Sequence, residues 1–303
     1  MDNAVVAFCE TANRREAEAM KRGIATLLAS GLSNQFGAAV GSLAFPVIGP
    51  AGVVAVRQVV AAIVLLPIAR PKLRSYSWSQ WWPVLLLALV FGLMNLSLYS
   101  AIERIGLGLA VTLEFLGPLG VALFASRSKL TLVCGLVAAA GVVAIARPEP
   151  TTDYLGIVFG LVGGACWASY ILLNRTIGKR MVGIEGTAVA AGVSSIVFLP
   201  IGIVILATTQ PPLWALAFAG TAGVLCSAFP YVADMIALRT VPAHLFGLLM
   251  SINPIYAALI GAVFLSQSLG LLEWIGIVLI VSTNVAALAL ARTKRTAPIP
   301  ILV

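Results

Sequence analysis

Ten apolar stretches follow one another along the chain, near 22–44, 50–69, 79–101, 107–126, 130–146, 155–174, 183–207, 212–237, 243–265 and 271–291. Charges, Pro/Gly pairs or polar clusters bound each of them. A helix crosses the ~30 Å hydrocarbon core with about 20 residues. Open strands leave backbone groups unsatisfied in lipid, and barrel strands are half this length and alternate. The pattern therefore predicts an all-α membrane protein of ten transmembrane helices, spans 1 to 10.

Loop charge agrees with that count. With the N-terminus inside, Arg14, Arg15, Lys21 and Arg22 fall in the cytoplasm, followed by Arg70, Lys72 and Arg74. Arg127 and Lys129, then Arg175, Lys179 and Arg180, then Arg239, and finally Arg292, Lys294 and Arg295 fall on the same side. Only Arg104 and Arg147 lie outside, and Arg57 within a span. Basic residues mark the cytoplasmic loops, so both termini are expected inside.

The two halves resemble each other. Gly23-Ile24-Ala25 to Leu66-Pro67 matches Gly156-Ile157-Val158 to Leu199-Pro200 at an offset of 133 residues. Ala101-Ile102 and Pro118 match Ala237-Leu238 and Pro254 at an offset of 136. Five helices per half is an odd number, so the second repeat enters the membrane inverted, a mark of secondary transporters with a midplane site. The expected organisation is a tail at 1–21, repeats at 22–146 and 155–291, and a tail at 292–303, both tails cytoplasmic.

Composition narrows the class. Apolar residues make up 60% and charged residues 10% of 303, against about 25% charged in soluble domains. Ten spans leave no room for a soluble catalytic or ATP-driven domain. The +8 charge is explained by topology, not by nucleic acid. No cleavable signal peptide is evident in the first twenty residues, which read as a short polar tail. Cys9, Cys134, Cys166 and Cys226 show no metal or redox spacing. Nucleotide-binding loops and hydrolase motifs are absent, so no enzyme, catalytic residue, cofactor or metal is expected.

Apart from Arg22, Glu185 and Glu273, each within the first three residues of a span, formal charge within the spans is confined to Arg57, Glu114 and Asp234. Ionisable groups there are costly and face a cavity or a partner. Glu114 reads as a titratable or amine-binding carboxylate, or as a structural partner of Arg57 at similar depth. Arg57 and Asp234 read as structural or coupling charges, with Asp234 at a solvated cytoplasmic interface near Arg239. Pro118 and Pro254 are repeat-related helix breaks that free backbone carbonyls. Polar and aromatic residues then fall on common helical faces. They are Asn34 and Gln35, Asn95 and Tyr99, Trp167, Tyr170 and Asn174, Ser227 and Tyr231, and Ser251 and Asn253. Together they outline a polar cavity with aromatic walls. Trp78, Trp81 and Trp82 are interfacial belt residues, as His244 is an interface residue. Spans 5 and 10, poor in polar groups, are expected at the periphery or in a homodimer contact.

The segments Leu113-Glu114-Phe115-Leu116-Gly117-Pro118-Leu119, Gly164-Ala165-Cys166-Trp167-Ala168-Ser169-Tyr170-Ile171-Leu172 and Phe246-Gly247-Leu248-Leu249-Met250-Ser251-Ile252-Asn253-Pro254 resemble the drug/metabolite transporter superfamily. Within it they resemble the EamA family and its RhtA- and YddG-like amino-acid exporters, over residues 22–291. The resemblance implies an inverted five-plus-five fold in the bacterial inner membrane and export of amino acids or related metabolites. It also implies a central cavity built from spans 1, 3, 4, 6, 8 and 9. Relatives often carry glutamate before the span 9 proline and near that span's end, where this chain has Asn253 and Gln267. That departure argues against proton coupling by that route and favours uniport or facilitated efflux, with proton coupling by another route still open. The expected function is export of neutral, aromatic or hydrophobic amino acids by alternating access. A drug or organic-cation exporter and a passive channel are the alternatives.

Overall fold

The computed structural model describes residues 2–124, 129–146, 151–264 and 270–296; Arg127, Arg147 and Gln267 lie outside them. Among the described residues the regular elements are helical. They are α1 (Asp2–Ser42), α2 (Phe45–Ala69), α3 (Trp78–Phe124), α4 (Lys129–Ala146), α5 (Tyr154–Arg180), α6 (Glu185–Thr209), α7 (Leu213–Gly223), α8 (Phe229–Thr240), α9 (Ala243–Leu249), α10 (Ile252–Phe264) and α11 (Leu271–Thr296). A π-helical turn, Val224–Ala228, joins α7 to α8. By length and composition, seven helical segments suffice to cross a membrane, and Thr112–Phe124 and Leu271–Ala287 are shorter apolar helices.

Two elements differ from the sequence expectation. The stretch read as an N-terminal tail is helical from Asp2. Its Ala, Glu, Arg and Met residues are good helix formers, and Arg14 and Glu18 pair at 3.6 Å, one turn apart. The second is α3, a single run of 47 residues that is not straight. A straight helix would separate Ser97 from Glu114 by about 25 Å. Ser97 Cβ and Glu114 Cγ instead lie 3.9 and 3.8 Å from where a Cβ on Gly163 would sit. The chain doubles back between them, so both limbs of α3 pack on α5.

In the helix pairing, α2 packs on α6, α4 on α11, α1 on α8 and α10, and α5 on the two limbs of α3. Exchanging the first half of the chain for the second maps this set of pairs onto itself. Small residues bring the partners close. Between α4 and α11, a Cβ on Gly141 would stand 2.9 Å from the Gly276 carbonyl oxygen. Large apolar side chains such as Ile63, Leu89, Val197 and Val278 point outward. Lipid is as apolar as they are, so close packing of small residues, not desolvation, holds such helices together.

The two ends of the bundle carry different charge. At one end, Arg180 donates to the Ser79 carbonyl at 2.7 Å and lies over the Trp82 ring at 5.2 Å. Arg239 donates to the carbonyls of Met181 and Gly183 there, and Tyr76 donates to Glu185 at 2.6 Å. At the other end Arg104 pairs with Asp153 at 3.1 Å. Asp153 caps α5 by accepting from the Gly156 N–H at 2.9 Å. That bond, then the Arg104 guanidinium, holds its carboxyl below the usual range.

Candidate functional site

Span 8 is where local sequence decides the most. Pro230 has no N–H, so it bonds neither the carbonyl four residues back nor the one five back. The helix answers with a π turn, in which the Phe229 N–H reaches Val224. The carbonyls of Leu225 and Cys226 are left without their usual intrahelical partners, and other helices supply donors. Ser33 Oγ of α1 donates to the Leu225 carbonyl at 2.8 Å. Arg57 Nη2 of α2 donates to the Cys226 carbonyl at 3.1 Å. Cys226 Sγ in turn donates to the Asn34 carbonyl at 3.0 Å. Pro230→Ala restores the missing donor inside the helix. We expect it to keep the protein folded and cut transport severalfold; flux equal to wild type would show the π turn to be idle.

Arg57 is 5% exposed. Its Nη1 donates to the Tyr99 hydroxyl at 2.7 Å and its Nε to Ser227 Oγ at 3.3 Å. Beside it, Gln58 Nε2 and Asn95 Nδ2 both donate to the Phe91 carbonyl, at 3.0 and 2.7 Å. Gln58 Oε1 and the Tyr231 hydroxyl are buried without a hydrogen-bond partner. The Tyr231 ring stacks on Phe91 at 3.9 Å, and Tyr170 tilts against both. The tyrosines thus pack on one another and are not, in this conformation, separate cavity walls.

Asp234 departs from its expected place at a solvated interface. It is 6% exposed and accepts from Ser30 Oγ at 2.7 Å and from the Tyr170 hydroxyl at 2.8 Å. The residue faces α1 and α5 rather than water. Glu114, 8% exposed, lies against the glycine face of α5. Among the described residues no hydrogen bond or ion pair engages its carboxylate. Arg57 and Glu114 therefore do not form the structural pair that their similar depth allowed.

The repeat-related prolines behave differently. At Pro118 the helix runs on, and the second limb of α3 crosses α5 closely: a Cβ on Gly117 would be 2.0 Å from the Gly164 carbonyl oxygen. Near Pro254 the helix is interrupted at Met250–Ser251. The Met250 carbonyl freed there accepts from the Asn253 backbone N–H and from Asn253 Nδ2, each at 3.0 Å. It is taken, while Asn253 Oδ1 is buried without a partner. Ser251 Oγ is 3.4 Å from Asn284 Oδ1, to which it donates. Asn34, Gln35 and Trp167 are half-buried, Trp167 against the main core. Asn174 is buried against its own helix and Thr187.

The structure thus groups the sequence-picked residues into three polar clusters. One is Arg57 with Asn95, Tyr99 and Tyr231; the second is Asp234 with Tyr170; the third is Ser251 with Asn253. Gln58, Ser30 and Ser33 were missed; for Ser33, Pro230 was the signal, since it frees the Leu225 carbonyl that Ser33 meets. A groove of about 520 Å³ between α5 and the second limb of α3 is apolar, and its Leu116, Phe124 and Leu161 are exposed. It faces outward and holds none of the polar residues above.

The chain has recognisable relatives. The model of the EamA-like transporter family matches residues 154–287. The threonine/homoserine exporter RhtA of Salmonella typhimurium strain LT2 is 34% identical over 268 residues, spanning 87% of this chain and 90% of that protein. Its counterpart in Escherichia coli K12 is 32% identical over 275 residues, spanning 89% and 92%. A solved crystal structure aligns with 91% of this chain and 99% of its own at a TM-score of 0.70 and 19% identity, which shows a common fold.

Proposed function

Because the chain belongs to the EamA-like transporter family, a multi-pass bacterial inner-membrane protein and an exporter rather than an enzyme, we propose that it carries small neutral amino acids out of the cell. The observation that carries this is one-third identity over nine-tenths of both chains to exporters of threonine and homoserine. Stacking of Phe91, Tyr170 and Tyr231 on each other favours a small side chain over an aromatic one.

The architecture we propose is ten spans in two inverted repeats, 22–146 and 155–291, with both termini cytoplasmic. The symmetric helix pairing and the gathering of Arg180 and Arg239 at one end of the bundle support it. Alternating access then rocks the repeats about a midplane site. On this topology the aromatic stack and the Asp234 cluster lie in the cytoplasmic half and close it. Glu114, buried and unengaged, holds the substrate ammonium. The side chains of Asn34, Gln35, Tyr99, Trp167, Ser251 and Asn253 complete the site, and Pro118 and Pro254 let the helices flex there. The outward faces of α4 and α11 suit a homodimer.

An organic-cation exporter would also use a carboxylate among aromatics. The buried Arg57 disfavours it, since a fixed guanidinium repels a cation. Efflux of labelled threonine and homoserine from loaded proteoliposomes tests the proposal; rates no greater than in protein-free vesicles would reject it. Glu114→Gln is expected to cut efflux about tenfold or more, of the order of a lost charge-assisted contact. Unchanged efflux removes Glu114 from the mechanism.

A further inference from the structure

Arg57 carries a charge that the protein does not neutralise. Its three hydrogen-bond acceptors, the Tyr99 hydroxyl, Ser227 Oγ and the Cys226 carbonyl, are all neutral. Neither the Arg14–Glu18 nor the Arg104–Asp153 ion pair involves it. A buried charge without a counter-charge is the costliest arrangement a protein interior offers, and more so at membrane depth. Stitching α2 to α3 and to the π turn explains the three bonds but not the cost, because an uncharged glutamine could make two of them without burying a charge.

A guanidinium has five N–H donors. Arg57 uses three, one on each nitrogen, so one N–H remains on each terminal nitrogen. Two adjacent donors of this kind match the two oxygens of a carboxylate. The surroundings fit the same ligand. Tyr231, close enough to Arg57 to interact with it electrostatically, has its hydroxyl near the Ser227, Gln58 and Asn95 side chains, and neither that hydroxyl nor Gln58 Oε1 has a partner at hydrogen-bonding geometry. Two unpartnered polar groups beside an uncompensated cation supply one more donor for an anion and one acceptor for an ammonium. Asn34, Asn95 and Asn253, the amides that sequence offers for the carboxylate, carry no charge, and Asn95 and Asn253 each spend an N–H on a backbone carbonyl.

We propose that Arg57 is the receptor for the α-carboxylate of the transported amino acid, with the Tyr231 hydroxyl as its second donor. This rests on the chain being an amino-acid exporter. Substrate entering the site supplies the missing negative charge, so the carrier selects molecules with a free carboxylate and not merely those with an ammonium.

The test uses the intact protein in vesicles, with counterflow of labelled threonine and competition by three analogues. Threoninol and threonine methyl ester keep the ammonium and lose the carboxylate; 3-hydroxybutyrate keeps the carboxylate and loses the ammonium. In wild type, 3-hydroxybutyrate should compete, and the two amines should compete at least about tenfold more weakly than threonine. A site built around a polar group rejects analogues lacking it by large factors. In Arg57→Gln the threonine-to-threoninol preference should collapse toward one, and in Arg57→Lys it should survive at reduced affinity. If Arg57→Gln does not fold, the wild-type ratio and the lysine variant decide. Equal competition by threonine and threoninol in wild type, or an unaltered preference in Arg57→Gln, overturns the assignment of Arg57 alone. No counterflow above protein-free vesicles overturns the exporter reading with it.

Discussion

Gly117→Val is expected to leave little or no folded protein. A Cβ at this position meets the Gly164 carbonyl oxygen at 2.0 Å, its carbon at 2.8 Å and the Ala168 nitrogen at 3.1 Å. All three are backbone atoms, so no rotamer change makes room. Gly164 approaches from the other side less tightly, with the Leu113 carbonyl oxygen 2.9 Å from its own would-be Cβ. The limb of α3 that carries Glu114 can accept a side chain here only by leaving α5. Overpacking a core that can relax costs about 1–3 kcal/mol; a clash against backbone belongs at or above the top of that range. Detergent-extracted protein should lose its monodisperse peak and its cooperative thermal transition. A valine variant melting within a few degrees of wild type would show that the two helices part easily.

The second large effect is at Asp234. Asp234→Leu removes the acceptor of two buried hydroxyls, Ser30 Oγ and the Tyr170 hydroxyl, which tie α1 and α5 to α8. Hydrogen bonds to a charged group are worth about 1.5–3 kcal/mol each, and membrane reference states reduce such values. A loss of about 2–4 kcal/mol is expected, seen as a lower melting temperature. Asp234→Asn, which keeps one oxygen acceptor, should fall in between, and Ser30→Ala should cost least. Equal stability of the leucine variant would mean that α8 is held by its apolar contacts alone.

Much of this was legible in sequence, and the exceptions share a cause. Apolar runs placed the helices, since twenty apolar residues in a row have one physical solution in lipid. Spacing along a helix also predicted which residues share a face, as Ser227, Tyr231 and Asp234 do. Depth, however, is not azimuth. Arg57 and Glu114, placed at similar depths by counting along their helices, do not meet, because each faces a different neighbour. Asp234 sits near a helix end yet points inward, a fact about α1 and α5 that spacing along span 8 does not contain. The α1 helix reaches back to Asp2 because local propensity there is helical even where hydropathy falls away.

Pro230 has one more consequence. Ordinary helices are sprung from within, each turn held by the next, so their stiffness is a private property. Between Val224 and Phe229 that private spring is missing, and its stops are borrowed: Ser33 from α1 and Arg57 from α2. The joint is as firm as its lenders allow. On the proposed site, the residue that steadies this joint is also the one that meets the cargo.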